Sequence, residues 1–360
     1  MTGNNLVLGV NGGSQECSTL FGPYGTRLEQ IGAEIGNPEI VAPTSVLTSQ
    51  EAREAVARVA GEYIDAGARV ATINAFGLRG LLHEGERRLY EEAILGQQNA
   101  MLQGVRTYAR DAVLKALSLS VGPYGDCYKP EEAPDRGLAK DFHELQVQGF
   151  EKSDADVLWF ETIATIEEAV GIGQAAAPYV PTVISFIIDR DGRLLSGECV
   201  RDAIKAVDDA SGRTVVGYSF NCCPIEGLTH AFASTEDLGR VIACYPNASS
   251  ADPRELCGSD GVQKVEDPKS VGQYLRFLAK RFNLSIVGGC CGHDHESVSH
   301  ISAIPQNDCH FEWHSLGCHC YGIFLCEICG VCSDNACGLG ARSIGCKWGR
   351  KDGDVGFVFV

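Results

Sequence analysis

Three cysteines that follow two different apolar segments could together hold a metal ion. Cys290 and Cys291 are adjacent and flanked by glycines in IVGGCCG at 286–292, and Cys222 lies in FNCCP at 220–224. Neighbouring side chains on a strand point to opposite faces, so two adjacent thiols share a site only where the backbone leaves strand geometry, as glycine permits. Structural zinc usually takes four protein ligands, whereas three thiolates leave a position open for a sulfur-containing substrate.

Other interpretations of these cysteines remain open from the residues alone. Unpaired cysteine is among the most buried residue types, so an ordinary core role is the alternative to zinc. A disulfide between Cys290 and Cys291 is a further option, although such a bridge is strained and a reducing cytosol disfavours it. Burial is the role we expect for five other cysteines: Cys17, Cys127, Cys199, Cys244 and Cys257.

Composition limits the partners and the compartment. The chain has 47 acidic against 30 basic residues, a formal net charge of -17, without a Lys/Arg cluster, which argues against nucleic acid and membrane surfaces as partners. No apolar run approaches the roughly 20 residues of a membrane helix, and MTGNNLVLGV lacks the basic region of a secretory signal. We therefore expect a cytoplasmic protein with small-molecule partners, whose 17 cysteines serve metal or thiol chemistry.

Elements that could position the three thiols alternate along residues 1–304. Short runs rich in Val and Ile are separated by segments of helical period, the pattern of repeated strand-helix units around a parallel sheet. The eight predicted strands are Leu6–Val10, Ala68–Ile73, Leu117–Val121, Val157–Phe160, Thr182–Ile188, Thr214–Phe220, Arg240–Cys244 and Leu284–Val287. Capping signals support the helices between them, at Thr48–Glu51, at Thr165–Glu168 and at Asp267-Pro268.

Eight such units favour an α/β fold of the closed (β/α)8 type, a TIM barrel, over an open doubly wound sheet. In this barrel functional residues follow the strands at one rim. Cys222 follows the sixth predicted strand and the pair Cys290–Cys291 the eighth, so all three thiols are expected on the same rim. We predict two regions, a barrel over residues 1–304 and a Cys-rich tail over residues 305–360.

Five motifs stand at the ends of the predicted strands: SVGPYG at 120–125, LWFETIATIEEA at 158–169, GYSFNCCP at 217–224, YPNAS at 245–249 and GGCCG at 288–292. Together they resemble the motifs of the homocysteine S-methyltransferase family, whose members are zinc-dependent (β/α)8 enzymes. The resemblance covers nearly the whole stretch up to Ile304, and the cysteine motifs carry most of it.

The resemblance implies residue roles. Cys222, Cys290 and Cys291 would bind Zn²⁺, and Cys223 would lie behind them. Glu161, in the FET motif, would bind the substrate ammonium group. Gly12, in the motif Asn11-Gly12-Gly13 after the first predicted strand, would also belong to the substrate-binding site.

Other residues near these motifs have two interpretations each. Asn221 either hydrogen-bonds the substrate or closes a local turn. Aromatic rings at Phe76, Tyr124 and Trp159 would suit a cationic donor, but plain packing is the commoner role of such rings. The histidines at 293 and 295 are expected in an exposed loop.

Two features depart from the family pattern. Asn11 stands where relatives have an Asp that helps hold the substrate ammonium, which keeps a hydrogen-bond acceptor but removes a charge. The segment Ser14–Tyr24 then looks like an insertion, either a lid over the pocket, a tolerated surface loop or an error of gene prediction.

The tail after Ile304 has dense cysteines without periodicity, and is either a small metal-binding appendage or the product of a shifted reading frame.

Two functions follow from these observations. The first is zinc-dependent methyl transfer to L-homocysteine from S-methylmethionine or S-adenosylmethionine, giving methionine, with betaine as a further candidate donor. The second is a catalytically impaired barrel that acts as a metal-binding or regulatory protein through its cysteines.

Overall fold

The computed structural model describes residues 17–33, 42–108, 114–176, 180–234, 238–256 and 266–303, and the short segments 350–351 and 354–355. The chain divides into two compact units, Met1–Leu316 and Gly317–Val360. In the second unit, the described residues form one antiparallel pair, β9 (Arg350–Lys351) with β10 (Asp354–Val355). The predicted tail otherwise lies outside the described residues, and its boundary after Ile304 stays a prediction.

The first unit contains eight parallel strands in one sheet. They are β1 (Ser18–Thr19), β2 (Val70–Asn74), β3 (Ala116–Val121), β4 (Val157–Ile163), β5 (Thr182–Phe186), β6 (Gly217–Asn221), β7 (Val241–Tyr245) and β8 (Ile286–Val287). Each strand from β2 to β8 pairs with the next, and β1 pairs with β8. A parallel bridge between Leu20 and Val70 closes the ring at β1 and β2. The predicted (β/α)8 barrel is confirmed.

Helices lie between the strands. They are α1 (Tyr24–Gln30), α2 (Ala42–Thr48), α3 (Gln50–Asp65), α4 (Arg79–His83), α5 (Arg87–Tyr108), α6 (Arg136–Phe150), α7 (Ile166–Ala175), α8 (Val200–Ser211), α9 (Ile225–Ser234), α10 (Pro253–Leu256), α11 (Pro268–Phe282) and α12 (His295–Ala303). The predicted caps of α7 and α11 are confirmed, since Thr165 accepts from the Glu168 amide and Asp267 from the Ser270 amide. The cap of α3 is Ser49, one residue after the predicted start of its capping box. Within the described part of the chain, no helix is both long and apolar enough to cross a membrane.

The first strand differs from the prediction. Leu6–Val10 lies outside the described residues, and the place between β8 and β2 is occupied by Ser18–Thr19 and Leu20. The Leu20 side chain is buried in the barrel interior with Val70 and Ile286. The segment Ser14–Tyr24 is therefore not simply a lid or a surface loop, because its described part closes the barrel.

A buried arginine explains why a polar segment forms this strand. Arg276 of α11 donates from Nη1 to the Cys17 carbonyl at 3.0 Å and from Nη2 to Thr19 Oγ1 at 2.9 Å. Its Nε donates to the Ile301 carbonyl at 2.9 Å, which joins α12 to the same group. Because Arg276 is 5% exposed, these bonds are made away from water and hold β1 against α11 and α12.

The barrel interior is apolar at one end and polar at the other. The apolar end includes Leu20, Val70, Val183, Ala243 and Ile286. Toward the carboxyl ends of the strands the buried side chains become polar, beginning with Ser118, whose hydroxyl is 3.1 Å from Thr72 Oγ1, and continuing with Ser120, Ser185, Ser219, Asn221 and Tyr245. Buried polar groups need partners, so this end of the barrel is built as a hydrogen-bonded site.

Candidate active site

The three predicted metal ligands converge at the polar end of the barrel. Cys222 directly follows β6, and Cys290 and Cys291 follow β8 by three and four residues. The sulfur of Cys222 is 3.0 Å from that of Cys290 and 3.5 Å from that of Cys291. All three sulfur atoms lie within 4.8 Å of one another. All three are free thiols, so the adjacent pair forms no disulfide.

The backbone around these thiols leaves regular geometry, as the glycines predict. Cys222 has a φ of 51°, in the left-handed region that side chains rarely adopt. A Cβ atom on Gly289 would lie 2.5 Å from the His293 ring, so glycine is required for the chain to pass there. Local strain of this kind is maintained only where the surrounding structure fixes it.

Cys223 does not join the three thiols. It is fully buried, and its charge would act on Cys244 of β7. Its carbonyl accepts from the Asn247 amide at 2.9 Å, which ties the loop after β6 to the loop after β7. The role that the family resemblance implies for Cys223, behind the metal ligands, stays a prediction.

Hydrogen bonds among the three thiols give them different pKa values. Hydrogen bonds from Cys222 and then Cys290 lower the pKa of Cys291 well below that of a free thiol. The same contacts, together with burial, raise the pKa of Cys222. The exposed member of the set is therefore the first to ionise, and a bound cation would favour ionisation of the other two.

Glu161 lies on β4 in the polar interior layer. Burial raises the pKa of its carboxyl group to about 7, although hydrogen bonds from Ser120 and Tyr245 lower it. The Tyr245 hydroxyl is 3.3 Å from Glu161 Oε1 and equally 3.3 Å from Ser185 Oγ. Charge on Glu161 also raises the pKa of Cys290, so the carboxylate lies near enough to the thiols for their charges to interact.

Asn221 joins this layer to the backbone beside the thiols. Its Oδ1 accepts from the Thr162 amide at 3.0 Å and from Ser185 Oγ at 2.7 Å. Thr162 has a φ of 59°, so this oxygen holds a second strained residue next to Glu161. The Nδ2 atom is buried and has no hydrogen-bond partner among the described residues. The oxygen thus has the structural role, and the nitrogen keeps a free donor for a ligand.

Two predicted substrate-binding residues, Asn11 and Gly12, are outside the described residues, so their role stays a prediction. Phe21, two residues after the end of β1, packs its ring against the rings of Tyr24 and Tyr63.

The expectation of two exposed histidines is wrong for His293. Its ring is fully buried, and burial lowers its pKa to about 4. His295 is partly exposed and begins α12. The burial of His293 follows from its packing against Gly289, a contact between residues four apart in a loop that periodicity does not reveal.

Each of the three aromatic rings expected near the donor is occupied by contacts with other side chains. Trp159 is buried in the barrel and donates from Nε1 to Ser219 Oγ at 3.1 Å. The Tyr124 ring packs against His83 and Phe142. The guanidinium of Arg79 covers Phe76.

Sequence reasoning missed another aromatic residue, Tyr128. It packs against the buried cluster that contains Cys222, Ala164, Ile187 and Leu195. Negative charge on Cys222, followed by burial, raises the pKa of its phenol. Its only signal in the sequence is its place in the loop after β3. The position of Tyr245 directly after a predicted strand was a stronger signal.

Comparison with known proteins agrees with this site. The model of the family described as homocysteine S-methyltransferase matches residues 20–304, which include all three thiols and Glu161. The chain belongs to the homocysteine S-methyltransferase family. The matched region begins at the end of β1, so Asn11 and Gly12 precede it.

Individual relatives cover most of the chain. Homocysteine S-methyltransferase 1 of Zea mays is 28% identical over 318 residues, covering 80% of this chain and 94% of the maize protein. Homocysteine S-methyltransferase 1 of Arabidopsis thaliana is 26% identical over 317 residues, covering 79% of this chain and 92% of the relative. The metallated homocysteine methyltransferase MmuM of Escherichia coli has a TM-score of 0.64 at 20% identity, covering 81% of this chain and 96% of that chain. The likeness to MmuM shows a shared fold.

Proposed function

We propose that this protein transfers a methyl group from a sulfonium donor, S-methylmethionine or S-adenosylmethionine, to the sulfur of L-homocysteine, giving methionine. The observation that carries the proposal is the convergence of three thiols from two strand ends on one point beside a buried carboxylate. Family membership supports homocysteine as the acceptor. The donor rests on the chemistry of the site.

The three thiols suit a zinc ion. A zinc–sulfur distance of about 2.3 Å in tetrahedral geometry places the sulfur atoms about 3.8 Å apart. Two of the observed separations, 3.0 and 3.5 Å, are slightly shorter, and all three lie within 4.8 Å. Small side-chain rotations therefore suffice to place Cys222, Cys290 and Cys291 around one ion. Three soft ligands leave the fourth position for the sulfur of the substrate.

Zinc bound there would hold the homocysteine sulfur as a thiolate at neutral pH while leaving it nucleophilic. Ionised Glu161 would accept a charge-assisted hydrogen bond from the substrate ammonium group. Tyr245 and Ser120 orient that carboxylate. The free Nδ2 of Asn221 supplies a further donor to the acceptor substrate.

Methyl transfer then needs only alignment. A lone pair of the homocysteine sulfur forms the new carbon–sulfur bond as the donor's methyl–sulfur bond breaks. The electron pair of the broken bond stays on the donor sulfur, which leaves as a neutral thioether. No proton moves in this step, so the chain's task is to bind both reactants in line and to exclude water.

Metal analysis of the full chain tests the site. We expect Cys222→Ala to lose about one zinc ion per chain relative to the wild type, and the neighbouring control Cys223→Ala to lose none. If Cys222→Ala keeps all the zinc of the wild type, the barrel site is wrong. The hypothesis of a metal-binding protein that works through its other cysteines would then gain.

Methionine formation tests the reaction. Zinc-loaded wild-type protein is given homocysteine with S-methylmethionine, S-adenosylmethionine or betaine in separate assays. Activity with a sulfonium donor is the expected result. Absence of methionine with every donor would refute the proposed function.

A further inference from the structure

A second group of residues, separate from the barrel interior that holds Glu161, also contacts the thiols. Cys290 contacts two separate clusters, the barrel interior that contains Trp159 and Tyr245, and a second cluster formed by Ala164, Ile187, Leu195 and Cys222. Glu161 extends from β4 into the interior side. The aliphatic members of the second cluster are at most 5% exposed. The two sides of the site therefore differ in chemistry.

Tyr128 is the aromatic residue of this second side. It is partly exposed and packs on the cluster that contains Cys222, whereas the aliphatic residues beneath it are covered. A molecule that reaches the thiols over this cluster would therefore meet the Tyr128 ring.

The loop that carries Tyr128 is held at several points. The Tyr128 amide donates to Asp126 Oδ1 at 3.0 Å, and the Tyr124 amide donates to the buried carboxylate of Glu168 at 2.6 Å. Gln146, also buried, donates from Nε2 to the Gly122 carbonyl at 3.0 Å. These bonds fix the loop between β3 and α6 in place, so the position of the ring is set before any ligand binds.

Charge on this side favours a cation. The charged neighbours of the thiols include the Glu161 carboxyl group. With three thiolates, one zinc ion and a substrate thiolate, the centre would carry a net charge of about -2. An aromatic face beside such a centre suits a ligand whose positive charge is spread over methyl groups.

We propose that Tyr128 is a specificity-determining residue of the methyl-donor subsite, whose ring contacts the cationic sulfonium group of the donor. The inference rests on the proposed function and deepens it. It assigns donor and acceptor to different sides of the thiols, with the acceptor ammonium at Glu161 and the donor cation at Tyr128. Donors with a compact dialkyl sulfonium group fit such a single aromatic face.

Binding of two inert analogues tests the proposal without turnover. Both are S-methylmethionine analogues: one carries a dimethylammonium group in place of dimethylsulfonium, and the other carries a neutral isopropyl group there. Calorimetry is done on the zinc-loaded full chain with homocysteine saturating. We expect Tyr128→Leu to lower the affinity for the cationic analogue about 2- to 30-fold, the range of a cation–π contact. The affinity for the neutral analogue should change by no more than about twofold.

Two further variants complete the design. Tyr128→Phe keeps the ring and should bind the cationic analogue like the wild type. Tyr124→Leu, four residues away in the same loop with its ring against Phe142, should leave the affinity of both analogues unchanged. Steady-state kinetics of Tyr128→Leu should show a raised KM for S-methylmethionine with an unchanged KM for homocysteine.

Two outcomes would overturn the inference: equal weakening of both analogues by Tyr128→Leu, or unchanged binding of both. A wild-type protein that forms no methionine from any donor would instead refute the proposed function. The two failures are therefore distinguishable.

Discussion

Replacing Glu161 by Gln should stabilise the fold and impair acceptor binding at the same time. Burial raises the pKa of this carboxyl group from 4.5 to about 7. Between these two pH values the unfolded chain loses the proton while the folded chain keeps it, so the free energy of unfolding falls as pH rises. Above pH 7 the full cost applies, and the difference in pKa corresponds to about 3 kcal/mol. Gln is neutral and nearly the same size, so Glu161→Gln removes this cost.

The expected signature is a stability difference that depends on pH. Urea unfolding of the wild type and Glu161→Gln, in the same metal state and without substrate, should give nearly equal free energies at pH 4.5. At pH 8 the variant should be more stable by up to about 3 kcal/mol. The control Glu167→Gln changes an exposed carboxylate at the start of α7 that pairs with Arg136, and should alter stability by well under 1 kcal/mol throughout.

The affinity for homocysteine should fall in Glu161→Gln, although the stability of the fold rises. Loss of the charged partner of the substrate ammonium should raise KM for homocysteine about 10- to 150-fold in Glu161→Gln, the effect of about 1.5–3 kcal/mol for a hydrogen bond to a charged group. The reasoning is refuted if the stability difference is the same at pH 4.5 and pH 8, or if the variant is the less stable protein at pH 8.

Two further predictions concern the closure of the barrel and the path of the chain beside the thiols. Arg276→Met should lower the free energy of unfolding by about 3 kcal/mol, because three buried oxygen atoms lose their donor; unfolding at the same urea concentration as the exposed control Lys280→Met would contradict this. Gly289→Ala places a Cβ atom against the His293 ring and should weaken zinc affinity more than tenfold in competition with a chelator. The control Gly80→Ala, with open space at its Cβ position, should bind zinc like the wild type, and equal affinity in all three proteins would show that the close approach is unimportant.

Much of the fold could be predicted because buried parallel strands read as continuous apolar runs. Strands β2 to β8 all fall at or within a few residues of such runs. The first strand could not be predicted in this way, because Ser18 and Thr19 are polar and are held by Arg276, more than 250 residues further along the chain. The more apolar run at Leu6–Val10 therefore gives the stronger strand signal in the sequence.

Some residues of the site could likewise be predicted from the sequence, and others could not. Cys222, Cys290 and Cys291 could be brought together from sequence because each lies within four residues of a strand end, and strand ends share one rim. The loop residue Tyr128 could not be placed, since its position depends on hydrogen bonds from a buried network on α6 and α7. The two hydrogen bonds to Asn221 Oδ1 likewise depend on the alignment of three neighbouring strand ends, which the sequence does not show.

The shortness of β1 and β8 leaves few backbone pairs at their junction. Two residue pairs join these strands, and one bridge joins β1 to β2, so few backbone amides there are protected from exchange with solvent. An ion shared by Cys222 and the cysteines after β8 would tie this junction to β6. Any metal that binds only the closed barrel stabilises closure by mass action. The ligand set that prepares a substrate sulfur would then also slow amide exchange along β8, so barrel closure and metal occupancy would rise and fall together.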